Sequence, residues 1–207
     1  MLARWSAFVS QTLTTTRTFE EVTILTAWVS SIAASLFLFP NVHGLVGGGL
    51  GVLMIAIATV DARRFIIPDE LTAAALALGL LHAAIQSPDI VLEALASAVL
   101  RGAVLTFAFW CLRVLYRHIR GREGIGLGDV KLASVAGVWL NWPMIPVAIE
   151  IAALAALAVY AVRLLIKGRG VRSTAKLPFG LFLAPAIWLG WLLESTLFLI
   201  PSASWLQ

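Results

Sequence analysis

The sequence predicts an all-α membrane protein, a polytopic transmembrane helical bundle of about six to seven spans. Three observations point there. Of the 207 residues, 60% are hydrophobic and only 13% are charged; ordinary soluble domains carry about 25% charged residues. The mean hydropathy is +0.95, more apolar character than a soluble fold of this size can hide. The apolar residues also gather into seven stretches separated by short polar connections, and the basic residues fall in alternate connections.

The stretches are residues 22–40, 45–60, 71–85, 90–112, 130–140, 144–166 and 177–200. Residues 1–21 precede them as a Ser/Thr-rich cytoplasmic or interfacial segment. They lack the basic-then-apolar order of a cleavable signal, so the first stretch is expected to stay as an anchor of the membrane-embedded domain, residues 22–207. Pro40 closes the first stretch and Pro143 and Pro146 flank the start of the sixth, positions where proline is tolerated. The third follows Pro68-Asp69-Glu70. Asp69 is expected to be its N-cap, with Glu70 favoured by the positive end of the helix dipole. The fifth stretch is short, because eleven residues of helix cover only about 17 Å. It reads as a half-span or as a helix extending towards Gly126.

Charge placement arbitrates. With the N-terminus in the cytoplasm and every stretch crossing, 14 of the 15 basic residues fall on the cytoplasmic side, as the positive-inside rule requires. The opposite connections, 41–44, 87–89 and 141–143, carry none. Were the fifth stretch not to cross, the basic segment 163–176 would lie outside. Seven crossings are therefore expected, with six plus a re-entrant element as the alternative. The formal charge of +4 has the same explanation. No basic-aromatic stripe of the kind that holds single strands is present, so the bilayer, not nucleic acid, is the expected partner. The single cysteine, Cys111, excludes an internal disulfide and a four-cysteine zinc site, and reads as a small buried hydrophobe.

Two aspartates stand out against this background. Asp61 ends the second stretch, at the C-terminal end of a helix, where a negative charge is disfavoured. Asp129 ends Gly126-Leu-Gly-Asp at the start of the fifth stretch. The predicted topology puts both on the cytoplasmic membrane surface. Two neighbouring carboxylates cannot both ionise cheaply, so such a pair shares a proton and holds one acid and one base. Glycines at 126 and 128 let another backbone approach. Mid-span Arg101 and Glu150 are expected to face each other as a structural ion pair. His82 and Glu194 are expected in packing or interface roles, and Trp139, Trp142, Trp188 and Trp191 in interfacial belts. Lys131 is expected to snorkel to the interface.

The segments Asp61…Ile67-Pro68-Asp69-Glu-Leu-Thr72, Gly126-Leu-Gly-Asp-Val-Lys-Leu132 and Leu177-Pro-Phe-Gly180 resemble the type IV prepilin peptidases, membrane aspartic proteases of the GxGD type. The resemblance extends from about Leu45 to Trp191. It implies that Asp61 and Asp129 are the catalytic pair and that no cofactor or metal is needed. It also implies that the substrate is a prepilin or pseudopilin, whose short basic leader is cut on the cytoplasmic face of the bacterial inner membrane, typically after a glycine and just before a hydrophobic helix. Residues expected to border the substrate are Pro68, Gly126, Gly128, Lys131, Phe179 and Gly180, with Lys176 nearby. Long members add a domain with paired cysteines and N-methylate the product. This sequence is more similar to the short Flp/Tad-type branch. Two other readings compete: an ion-coupled transporter with Asp61, Arg101, Asp129 and Glu150 along its path, and a magnesium-dependent phosphotransferase. The second needs several carboxylates on one helical face, which Pro68 denies to Asp61 and Asp69.

Overall fold

A computed structural model describes residues 21–121, 123–167 and 178–199. The first 20 residues, most of the basic connection before Pro178, and with it Lys176 and Leu177, lie outside the described residues. Seven α-helices make up the described chain: α1 Glu21–Leu38, α2 Val42–Arg64, α3 Asp69–Gln86, α4 Val91–Arg120, α5 Leu127–Trp139, α6 Met144–Lys167 and α7 Gly180–Leu199. A short 3-10 turn, Pro88–Ile90, leads into α4. The helical membrane bundle expected from composition is what forms. Five helices, α1, α2, α4, α6 and α7, are long and apolar enough to cross a bilayer.

The short helix α5 is the centre of the bundle, packed against α3, α4 and α7. Its 13 residues rise about 20 Å, well short of a hydrocarbon core about 30 Å thick. Eight of them are buried, including Leu132 and Val135 at 0% exposure. From Leu132 to Trp139 every residue but Ser134 is apolar, which suits a stretch enclosed by other helices. The α4–α5 contact is close because Gly137 faces the α4 backbone: a Cβ there would sit 2.5 Å from the Arg101 carbonyl oxygen. Around this pair, α2 packs on α7 and α3, and α6 packs on α7.

Several expectations change. The fourth stretch does not end at 112; α4 runs 30 residues to Arg120, with Arg117, His118 and Arg120 in its last turn. Basic residues are good helix formers and suit the negative end of the dipole, so part of the expected loop is helix. Gly121, at φ 64°, closes it and donates its N–H to the Arg117 carbonyl at 2.9 Å. Arg101 and Glu150 do not pair. Arg101 donates to the Gly137 carbonyl at 3.1 Å and to Ser97, while Glu150 is exposed on α6. An arginine beside a close glycine crossing finds a carbonyl that the crossing itself presents. Trp139 and Trp191 are core residues, 4% and 2% exposed, rather than members of a belt. Their indole N–H groups find partners inside the bundle, which makes burial affordable. Trp142 is exposed.

Candidate active site

Asp61 lies in the last turn of α2 and is only 5% exposed. Its own helix offers it nothing, since it sits at the negative end of that dipole. The N-terminus of α7 supplies what is missing. The Leu181 N–H donates to Asp61 Oδ2 at 2.9 Å, and Gly180, the first residue of the same helix, packs directly against the carboxylate. Unpaired N–H groups at a helix start are a natural seat for an anion. Gly180 is needed for this approach, because a Cβ there would fall 2.7 Å from Asp61 Oδ2 and 2.9 Å from Ile67 Cδ1.

Asp129 occupies the third position of α5, and its Oδ2 accepts the Gly126 N–H at 3.2 Å. This carboxylate folds back over the start of its own helix, a half-buried position that also satisfies an otherwise unpaired donor. Gly128 packs against Ile67: a Cβ at 128 would lie 3.0 Å from Ile67 Cγ1. Buried Ile67 is therefore the spacer of the site, touching the α7 start beside Asp61 on one side and the residue before Asp129 on the other. Ile67 thus lies against both the glycine that faces Asp61 and the glycine that precedes Asp129, which brings the two carboxyl groups to the same end of the bundle. Two acids 68 positions apart in sequence thus meet at one end of the bundle.

The other expected site residues divide. Pro68, not Asp69, is the N-cap of α3, and no side chain caps that helix. The Pro68 carbonyl instead accepts the Thr72 N–H at 3.2 Å and the Thr72 hydroxyl at 2.9 Å. Proline fixes the extended backbone that the cap position needs, which moves Asp69 one place into the helix, and its carboxylate pairs with Lys131. Lys131 is exposed but has this partner rather than open solvent alone. The pair ties α5 to α3 two residues beyond Asp129. Phe179 is half-buried against the core, and its carbonyl accepts the N–H groups of Phe182 and Leu183, both at 2.9 Å. It starts α7 and so sets where Leu181 points.

Two contributors escaped sequence reasoning. Leu181 acts through its backbone N–H, so its side-chain identity carried no signal. Ile67 acts as a wedge, and a buried isoleucine before proline looks like any core residue. Among the described residues no group of three or more His, Cys, Asp or Glu is arranged to hold a metal ion.

A helical membrane protein with two carboxylates from separate helices converging beside a helix N-terminus defines a class: a membrane-embedded protein with an acid pair at one end. Comparison with known proteins narrows it. A model of the type IV leader peptidase family matches residues 49–162, more than half of the chain and including both aspartates. The chain is 38% identical over 158 residues to a prepilin leader peptidase/N-methyltransferase of Burkholderia pseudomallei, covering 73% of this chain and 48% of that relative. It is 35% identical over 126 residues to the leader peptidase HopD of Escherichia coli, covering 61% of this chain and 78% of the relative, and 34% identical over 132 residues to HopD of Salmonella typhimurium. This chain belongs to the type IV leader peptidase family. It spans about half the length of the N-methyltransferase relatives. No solved structure matches it.

Proposed function

We propose that this protein is an aspartic endopeptidase that removes the leader peptide of type IV prepilins or pseudopilins of the Flp/Tad type, using Asp61, Asp129 and a water molecule. The observation that carries the reading is the convergence of the two carboxylates across the Gly128–Ile67–Gly180 contact. Two acids held together share one proton as a pair. Asp61 accepts the Leu181 N–H at the start of α7; we assign it the anionic role in the pair, and Asp129 then carries the shared proton. The anionic carboxylate takes a proton from water as its oxygen attacks the scissile carbonyl carbon. The protonated carboxyl hydrogen-bonds to the carbonyl oxygen as negative charge develops there. Collapse breaks the C–N bond, the departing amine takes a proton from the pair, and the starting protonation returns. No covalent intermediate forms.

The distribution of basic residues supports a site facing the cytoplasm across the bacterial inner membrane. The transporter reading gains no support, because Glu150 is exposed on α6 and Arg101 is tied to Gly137. The test is co-expression with a candidate prepilin, following the size shift of the pilin. Asp61→Asn and Asp129→Asn should each abolish leader removal, a loss of at least about a hundredfold in turnover, with insertion and helix content unchanged. Full cleavage by either purified variant removes that residue from the pair.

A further inference from the structure

A large groove opens beside Asp61, and the catalytic chemistry does not use it. It encloses about 920 Å³ between α1, α2 and α7. Its α2 wall runs from Ala62 and Ala58, which flank Asp61, to Gly51, about 17 Å along the helix. Its α7 wall is Leu181, Pro185, Trp188 and Leu189, and its α1 wall includes Ala27 and Ala34. The α1 helix is mostly uncovered, with 11% of its apolar window buried, against 50% for α2.

We propose that this groove receives the apolar helical segment of the polypeptide substrate that adjoins the scissile bond, placing the bond itself at Asp61. This rests on the peptidase reading above and adds to it the surface that selects the substrate. Three features favour a polypeptide over a lipid chain. First, the lining is rich in small residues, Ala27, Ala34, Gly51, Ala58 and Ala62, which let helices approach closely within a membrane. Second, the volume suits a helix: at roughly 10 Å across and 1.5 Å per residue, it accommodates about eight residues, or two turns. Third, the groove is continuous with the reacting acid. Leu181 lines the groove and its N–H holds the Asp61 carboxylate. Pro185, one turn on, has no N–H to give the Leu181 carbonyl, so that carbonyl lacks its regular helical donor.

The experiment has two arms. In the first, Ala27→Trp fills the groove from α1, away from the acid pair. Cleavage of a full prepilin should fall about tenfold or more in kcat/KM. A soluble peptide spanning the same bond but lacking the apolar segment should be cut at the unchanged, lower wild-type rate. In the second, Ala27→Cys is made in a Cys111→Ala, Asp129→Asn background and oxidised in membranes with prepilins carrying single cysteines through the apolar segment. Disulfides should form at positions three or four residues apart, one face of a helix. Equal cleavage of both substrates by Ala27→Trp, with no crosslink to the apolar segment, overturns the proposal and leaves the groove to lipid. Crosslinks to a second copy of this chain in place of the substrate also overturn it. Asp61→Asn separates the two readings: if that variant still cleaves while crosslinks form, the acid pair is wrong and the groove stands.

Discussion

The two ends of the bundle treat buried polarity in opposite ways. At the far end, about 27 Å along α2 from Asp61, polar groups satisfy one another. His43 Nε2 bonds to Ser195 at 3.1 Å, and His43 Nδ1 to His82 Nε2 at 2.9 Å. Trp191 donates to His82, whose ring stacks on Trp139 at 5.0 Å. Glu194 accepts both the backbone N–H and the side-chain amide of Asn141. At the Asp61 end, two carboxyl groups lie on either side of Ile67, and the donors that reach them are backbone N–H groups from helix starts. A closed network of donors and acceptors rigidifies a low-dielectric interior. Like charges held in proximity instead maintain an electrostatic tension that only a shared proton relieves. The first arrangement is architecture and the second is, on the proposed peptidase reading, chemistry, although both bury titratable residues in one small bundle.

This contrast can be broken or sharpened in order of expected effect. Asparagine at either aspartate should remove activity without loss of fold, as described above. Next is Gly180→Ala. Its Cβ meets the Asp61 carboxylate, and a displacement of about 1 Å at the reacting group can cost about a hundredfold in turnover. Single-turnover cleavage measures this, and near-normal turnover would mean that the α7 start does not position Asp61. Third, Glu194→Leu leaves the Asn141 donors unpaired and should cost about 1–3 kcal/mol of stability in a thermal or denaturant scan. Activity per folded molecule should stay within about twofold; a larger activity loss would couple the far end to the chemistry. Fourth, pH should act on the near end: activity should fall in acid, where both carboxyls are protonated, and in alkali, where both are ionised, giving a bell-shaped profile. A profile with one limb would assign the chemistry to a single acid. The smallest effect is expected from Asp69→Asn. It removes an exposed ion pair with Lys131, worth at most about 1 kcal/mol, and leader removal should remain substantial. Complete loss would mean that Asp69, not Asp61, is the reacting acid.

The helices were legible because apolar length is a local property, and Asp61 and Asp129 were singled out because a carboxylate at a membrane boundary is conspicuous. Partners were less so. Asp69 looked like a cap because the sequence shows residue type and not the extended backbone that Pro68 imposes. Arg101 and Glu150 looked like a pair because both are charged and mid-span, but their azimuths around α4 and α6 depend on packing. Trp139 and Trp191 looked interfacial until the bundle supplied acceptors for their indoles.

Composition and charge order alone determined that this chain is a helical membrane bundle, and which end of α2 and α5 carries an acid. They could do so because hydrophobicity and helix polarity act over a few residues. Only the tertiary structure decided that the N-terminus of α7 should meet the C-terminus of α2 and turn an ill-placed carboxylate into a held one. That meeting joins residues 120 apart through a backbone N–H, a group common to every residue but proline and therefore silent in the sequence.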